Sequence, residues 1–464
     1  MSKHNPYSAT GDHVREPPAN FWQAIPYVGP GFILSASIVG SGELIATTTL
    51  GANVGYVALW AILLGCLVKV AIQLEFGRYA ILEGATAVEG MSRVPGPRGK
   101  RINWLICLWL GVWPLKLLQM GGIVGAVAQV LSIAWPRGDS WPVIAPLAWC
   151  WILAIGVALL VSLEGYRAIE RTCIVLLALF TLLTLVSVGV LQWTPYAIEW
   201  SQLASGFQFA LPKESALLFL VVGSFGLTGV GGDEVMQYTY WLHEKGYAAY
   251  TGPRDDSAEW RVRARGWIRV MQLDALLSMV AYTIVTAAFY VLGAAVLHAR
   301  GEVPEGKNLV ATLSTMYTET LGPWSAWVFL AGAFIVLFST LYSALAAWAR
   351  VFADALAHIV GFSFREARPR RIATFWLTWG FAIVWAALCH LNLNQVTMVM
   401  WGGVATSIIL LLVVVAAVWF RWFGTRREMA PGLLFDGALV VSCLSIAAFA
   451  VYLVVGTVRE FVGS

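Results

Sequence analysis

Two stretches decide how this chain folds: "SIVGSGEL", Ser37–Leu44, and "SFGLTGVGGDEVMQY", Ser224–Tyr238. Each sits inside an apolar run, and each breaks that run with glycines followed by acid. In the first, Gly40, Ser41 and Gly42 lead into Glu43. In the second, Gly226, Gly229, Gly231 and Gly232 lead into Asp233 and Glu234. An uninterrupted apolar helix has no need of such a break, and a carboxylate at bilayer depth costs about 2.5–3.5 kcal/mol on insertion scales.

The rest of the sequence shows why the bilayer is the right reference. Of 464 residues, 59% are hydrophobic and only 12% charged. Soluble domains carry roughly 25% charged residues, so this chain lacks the polar surface to cover a water-facing globule. Runs such as 144–163 and 408–420 hold no charge. Spans of about 20 apolar residues cross the hydrocarbon core, and they must be helical there because backbone polar groups find no water. The expected fold is therefore all-α and polytopic, with eleven spans near 26–50, 54–82, 102–133, 143–163, 172–192, 214–243, 268–298, 324–357, 372–391, 395–422 and 434–457. The polar first twenty residues contain no apolar signal core, so no cleavable secretory peptide is expected.

Lys and Arg orient the spans. With the N-terminus in the cytoplasm, inside segments hold 23 of the 30 basic residues, outside segments five, and Lys69 and Lys116 lie within spans. Cytoplasmic loops carry the Lys/Arg excess, so the expectation is an integral protein of the inner or plasma membrane, its N-terminus cytoplasmic and its C-terminus external. The same bias explains the net charge of +4 without a nucleic-acid partner. The lipid bilayer is the partner the composition implies.

The two broken helices are the first and sixth spans, five apart. Paired interruptions at corresponding positions of two halves point to an inverted-repeat secondary transporter, with its site at the membrane midplane. The expected division is a tail at 1–20, a first repeat of five helices at 21–195, a second at 196–423, and an additional helix at 424–464. Unwound backbone is tolerated at that depth where it lines a cavity or is buried in protein. Glycines in membrane helices also serve close packing, but packing does not account for the acids. A cation, a proton or a basic partner must offset Glu43, Asp233 and Glu234.

Other charges and ligand types are read more plainly. Lys69 and Glu75 are six residues apart, too far for a same-face helical pair. Lys69 and Lys116 are expected to snorkel or to form structural ion pairs; pairing with the break acids in a substrate role is the alternative. His243, His298, His358 and His390 sit at span ends and are given no ligand role. The six cysteines lie singly, without metal spacing, and are read as small core hydrophobes. The insert near 244–265 is a solvated cytoplasmic loop. No phosphate-binding loop pattern, catalytic triad or zinc signature occurs, so neither an enzyme nor a resident cofactor is expected.

The stretch from Gly29 to Tyr56, "GPGFILSASIVGSGELIATTTLGANVGY", resembles the first helix of the NRAMP metal-ion transporters. That resemblance implies a LeuT-like 5+5 inverted repeat with broken helices 1 and 6, and a metal site between the breaks. The family carries Asp-Pro-Gly-Asn in helix 1; here those places hold Gly40, Ser41, Gly42 and Glu43. The family's helix 6 motif is Met-Pro-His-Asn. Gly231 falls at the methionine, Asp233 at the histidine and Glu234 at the asparagine, while Thr228 falls where a carbonyl ligand is expected. The acidic helix 3 positions on which proton coupling rests appear as Gln119 and Gly122. Gln395 keeps a polar position in helix 10.

These departures change the softness of the site. A thioether selects soft metals, and it is missing here. Carboxylates, hydroxyls and the carbonyls of Gly40 and Val230 suit hard cations: Mg²⁺ first, with Mn²⁺ or Ca²⁺ as alternatives. The expected substrate-binding set is Gly40, Ser41, Glu43, Thr228, Val230, Asp233, Glu234 and Gln395, with Glu43, Asp233 and Glu234 as metal ligands. Two other readings stay open. Gly-Ser-Gly at a helix 1 break also serves amino-acid or other small-solute transporters of the wider superfamily, whose exposed amides bind a substrate carboxylate. A non-transporting sensor that kept the fold is the third.

Overall fold

The structure, a computed structural model, describes residues 5–7, 13–40, 42–99, 101–135, 144–163, 165–212, 214–425 and 427–463. Among these, eleven helices are long and apolar enough to cross a membrane. They are α1 Pro30–Val54, α2 Leu59–Glu83, α3 Trp104–Ala134, α4 Pro146–Leu163, α5 Tyr166–Trp193, α6 Leu217–Lys245, α7 Ala258–His298, α8 Ser325–Val360, α9 Ala367–Leu391, α10 Gln395–Trp422 and α11 Leu433–Tyr452. The span count of the sequence reading holds. Boundaries move by several residues, most at α7, whose helix begins ten residues before its apolar core.

Burial separates centre from periphery. In α1 94% of the most apolar window is buried, and in α2 and α6 78%; in α5 and α9 it is 28%, and in α11 22%. The broken helices therefore form the middle of the bundle. The outer helices present Leu179, Leu182, Ile383, Val384 and Leu444 outward, where lipid tails replace water.

Both breaks are present, at slightly different limits from those expected. The first half of α1 (α1a, Pro30–Ile38) ends at Val39 and Gly40. The chain restarts as a π-helical turn at Gly42–Thr47 and continues as α-helix through Thr48–Val54; this second half is α1b. Gly42, expected to be non-helical, is thus already in the second half-helix. In α6, α6a (Ser215–Leu227) is followed by extended or turn backbone at 228–231, and α6b (Gly232–Lys245) begins one residue earlier than expected. The physical reason is the same in both cases. A half-helix needs its first residues in helical geometry so that its first N–H groups converge, and small residues there put no side chain in the way.

Gly229 makes the α6 turn possible. Its φ of +64° is a left-handed conformation that only glycine adopts freely. A Cβ there would lie 2.7 Å from the Cα of Cys66 on α2. Glycine is therefore required by both conformation and packing.

α1a packs against α5, α7 and α8, and α6b against α2, α10 and α1a. The end of the bundle where α1a begins is closed by polar latches. The Asp274 carboxylate on α7 accepts from the N–H groups of Gly29 and Gly31, both at 2.7 Å, and from the Tyr238 hydroxyl at 2.9 Å. Lys245 pairs with Glu170 at 2.7 Å, and Arg350 with Glu244 at 2.6 Å.

Candidate functional site

The two breaks obey one local rule. The Leu44 N–H donates to the Gly40 carbonyl at 2.8 Å, and the Val235 N–H to the Gly231 carbonyl at 3.0 Å. Gly40 and Gly231 therefore occupy matching places, each accepting a bond from four residues on, and Glu43 and Glu234 each stand three residues beyond them. The sequence carries this equivalence as Val39-Gly40-Ser41-Gly42-Glu43 against Val230-Gly231-Gly232-Asp233-Glu234, a shared V-G-x-x-E. An acid in the first turn faces the positive end of the helix dipole.

Glu43 is fully buried. Its Oε1 accepts from the Thr286 hydroxyl of α7 at 2.9 Å, and its Oε2 from the Gly40 N–H, three residues earlier, at 3.2 Å. The second bond resembles the reach-back of a capping box. The Thr340 hydroxyl of α8 fills the space a Cβ on Gly40 would need. Ser41 lies outside the described residues. The two breaks touch: a Cβ on Gly42 would come within 3.1 Å of the Leu227 carbonyl oxygen, and the Ser224 hydroxyl donates to the Ala46 carbonyl at 3.4 Å.

At the second break, Asp233 pairs with Lys116 of α3 at 3.3 Å, and both side chains are almost wholly buried. Lys116 also donates to the Thr406 hydroxyl of α10 at 2.8 Å. The other Asp233 oxygen, Oδ1, has no hydrogen-bond partner among the described residues. It faces a crevice lined by Trp109, Trp113 and Trp348 that is too narrow for water. Glu234 curls back over Gly231 beside the Thr406 methyl.

Lys69 departs from expectation: it neither snorkels nor enters an ion pair among the described residues. It sits at the junction of the two helical segments of α2, fully buried. Its Nζ donates to the carbonyls of Phe225, Thr228 (2.7 Å) and Gly226 (3.4 Å) at the end of α6a. The reason is the break itself. The last carbonyls of a helix have no intrahelical partner, and within a membrane they must find a donor. The Thr228 carbonyl, expected to face a substrate, is thereby engaged. Glu75, by contrast, pairs with Arg78 on its own helix.

The remaining expected positions divide. Val230 is fully buried in the break. Gln395 is the first residue of α10 and packs over Gly125 of α3. Eleven residues separate it from Thr406, about 16 Å along a helix axis, so it does not join the breaks. Gln119 packs on Gly402 of α10. No group of three or more His, Cys, Asp or Glu poised to hold a metal occurs among the described residues; the acids arrive as separate clusters. One ligand type was missed. The Cys66 thiol, read from sequence as a core hydrophobe, lies beside Thr286 and Thr283 and within electrostatic range of Glu43 and Lys69. Its spacing from Glu43 carries no signal. Cys150 of α4 and Cys389 of α9 also meet, far from the breaks in sequence.

Eleven helices with the first and sixth broken, and buried acids at both breaks, define the LeuT-like class of membrane transporter folds. Residues 31–457 match the Nramp family, described as Natural resistance-associated macrophage protein-like, and the chain belongs to that family. An uncharacterised Pasteurella multocida protein, PM0681, is 25% identical over 78% of this chain and 76% of its own length. The Acidiphilium cryptum divalent metal cation transporter MntH is 24% identical over 90% of this chain and 86% of its own. Among solved structures, a histidine-to-alanine mutant of the Eremococcus coleocola manganese transporter superposes with a TM-score of 0.53 at 15% identity, covering 97% of this chain and 99% of that one. MhsT in complex with L-phenylalanine gives 0.59 at 17% identity, covering 95% and 99%. At such identities the two structures speak for the fold alone.

Proposed function

We propose that the chain carries a hard divalent metal cation, of the Mg²⁺ and Mn²⁺ class, across the membrane by alternating access around the α1 and α6 breaks. The observation that carries this reading is the setting of Glu43. It is fully buried at the centre of the bundle, and its hydrogen-bond donors, the Thr286 hydroxyl and the Gly40 N–H, are both neutral. A deprotonated carboxylate there calls for a positive partner, and a transported cation supplies one. Glu234 stands at the corresponding place of the second break, with its side chain partly buried. Asp233, held by Lys116 between transport events, is the third acid within reach. Family membership and the relatives named as divalent metal cation transporters support the same reading.

The donor set favours a hard ion: carboxylates of Glu43, Asp233 and Glu234, with hydroxyls of Thr286, Thr340 and Thr406 nearby. Without a ready-made three-ligand cluster, a partly hydrated ion fits best, and Mg²⁺ usually keeps several waters. The amino-acid alternative loses its chief attraction, because the Gly40 amide that would meet a substrate carboxylate is already bonded to Glu43. One observation favours a second reading, transport of softer transition metals. The Cys66 thiol near Glu43 is a soft ligand. In this account the repeats at 21–195 and 196–423 move against each other, and the end where α1a begins faces the cytoplasm.

Uptake into proteoliposomes tests the proposal. Mg²⁺, Mn²⁺ and Cd²⁺ are measured beside a panel of amino acids. Saturable uptake of Mg²⁺ or Mn²⁺ is expected; uptake of an amino acid without any divalent cation would overturn it.

A further inference from the structure

The end of α6a is built as a cation seat. The carbonyls of Phe225, Gly226 and Thr228 converge on one point, beside the face of the Phe225 ring. They lie at the negative end of a half-helix dipole, at membrane depth, where unwound carbonyls serve to coordinate cations. What stands at that point is the Lys69 ammonium, 4.5 Å from the Phe225 ring centroid. A ring face attracts a cation, and an ammonium has three donors for the three carbonyls.

The position does not call for lysine on packing grounds. Lys69 is fully buried, and a methionine is close to its stem in length and volume. No carboxylate is in ion-pair contact with Lys69 among the described residues. Glu43 and Glu234 act on it only through space. The charge itself is therefore what the site uses.

We infer that the α6a carbonyls form a monovalent-cation site, and that the Lys69 ammonium is its resident, tethered ion. The protein holds the α6 break together without drawing a free ion from solution. An ammonium group is close in size to K⁺, so removing the side chain creates a site for K⁺ or for a small alkylammonium. This inference rests on the geometry of the break and not on which solute is transported. Failure of wild-type metal uptake would remove the carrier reading and leave this one standing.

The test uses purified full-length protein in detergent at constant ionic strength, in choline chloride, NaCl, KCl or propylammonium chloride. The wild type should show the same thermal midpoint in all four salts. Lys69→Ala should melt lower in choline and recover by several degrees, dose-dependently, in KCl or propylammonium. Lys69→Met fills the space without charge and should stay below wild type in every salt. A Lys69→Ala response identical to that of wild type across the salts would overturn the inference. If Lys69→Ala yields no folded protein in any salt, Lys69→Met decides: wild-type stability of that variant would show that the charge is not needed.

Discussion

Lys116→Met, read in a cycle with Asp233→Asn, probes the buried charge pair at the α6 break. The two groups are 3.3 Å apart and almost wholly buried. At an effective dielectric near 20 their attraction is about 5 kcal/mol. Removing the lysine leaves the Asp233 charge without its counter-ion, in a crevice among Trp109, Trp113 and Trp348 that admits no water. Its Oδ1 lacks a partner among the described residues, and the side chains that line the crevice with it carry no positive charge. Breaking a buried pair from one side costs about 3–5 kcal/mol, and the Thr406 hydroxyl loses its donor for about 1 kcal/mol more. The double variant removes both charges and should recover most of that loss, giving a coupling energy of about 2 kcal/mol or more. The assay is denaturant-driven unfolding in micelles with a metal chelator present, for wild type, both single variants and the double. A coupling below about 0.5 kcal/mol, the limit of additivity for independent sites, would refute the pair as a structural unit.

Gly229→Ala should destabilise the protein by at least about 1–3 kcal/mol, through left-handed backbone strain and the approach of its Cβ to Cys66; the same unfolding assay reads it. Cys66→Ser should weaken Cd²⁺ competition about tenfold, as expected on losing a soft ligand, while Mn²⁺ uptake changes much less; equal effects on both ions would exclude a thiol role. In a cysteine-free background, Glu305→Cys should react with an impermeant maleimide on intact cells, and Asp255→Cys only after permeabilisation. The reverse pattern would invert the orientation drawn from the basic residues.

The breaks were legible because glycine and acid inside an apolar run violate what a membrane helix requires. Their equivalence could be read as well. Matching the breaks to the family motifs set Glu43 and Glu234 both at an asparagine position, and the backbone bonds accepted by Gly40 and Gly231 give the two acids the same correspondence. The place of Lys69 within a span could be read, and the spacing to Glu75 correctly excluded a pair, but the expected snorkelling or ion pairing did not hold. Its real partners could not be read, since backbone carbonyls leave no mark in a sequence. Cys66 is a similar case. A lone cysteine in an apolar span is usually core, and only the packing of α2 against α7 brings it near Glu43. Gln395 erred the other way: its polarity drew it into the site, but its place at the start of α10 keeps it about three turns from Thr406.

The most direct test of the central claim is calorimetric titration of Mn²⁺ and Mg²⁺ into wild type, Glu43→Gln and Glu234→Gln, each shown to be folded. The glutamine keeps size and the Thr286 bond but removes the charge. Truncating one partner of a buried charge interaction costs about 2–5 kcal/mol, which corresponds to a loss of about 30-fold to several-thousand-fold in affinity. The account predicts such a loss in Glu43→Gln, whose side chain is fully buried, and a smaller one in Glu234→Gln, whose side chain is partly buried. Wild-type affinity in both would show that the acids serve only to cap their half-helices, and the proposed cation site would be withdrawn.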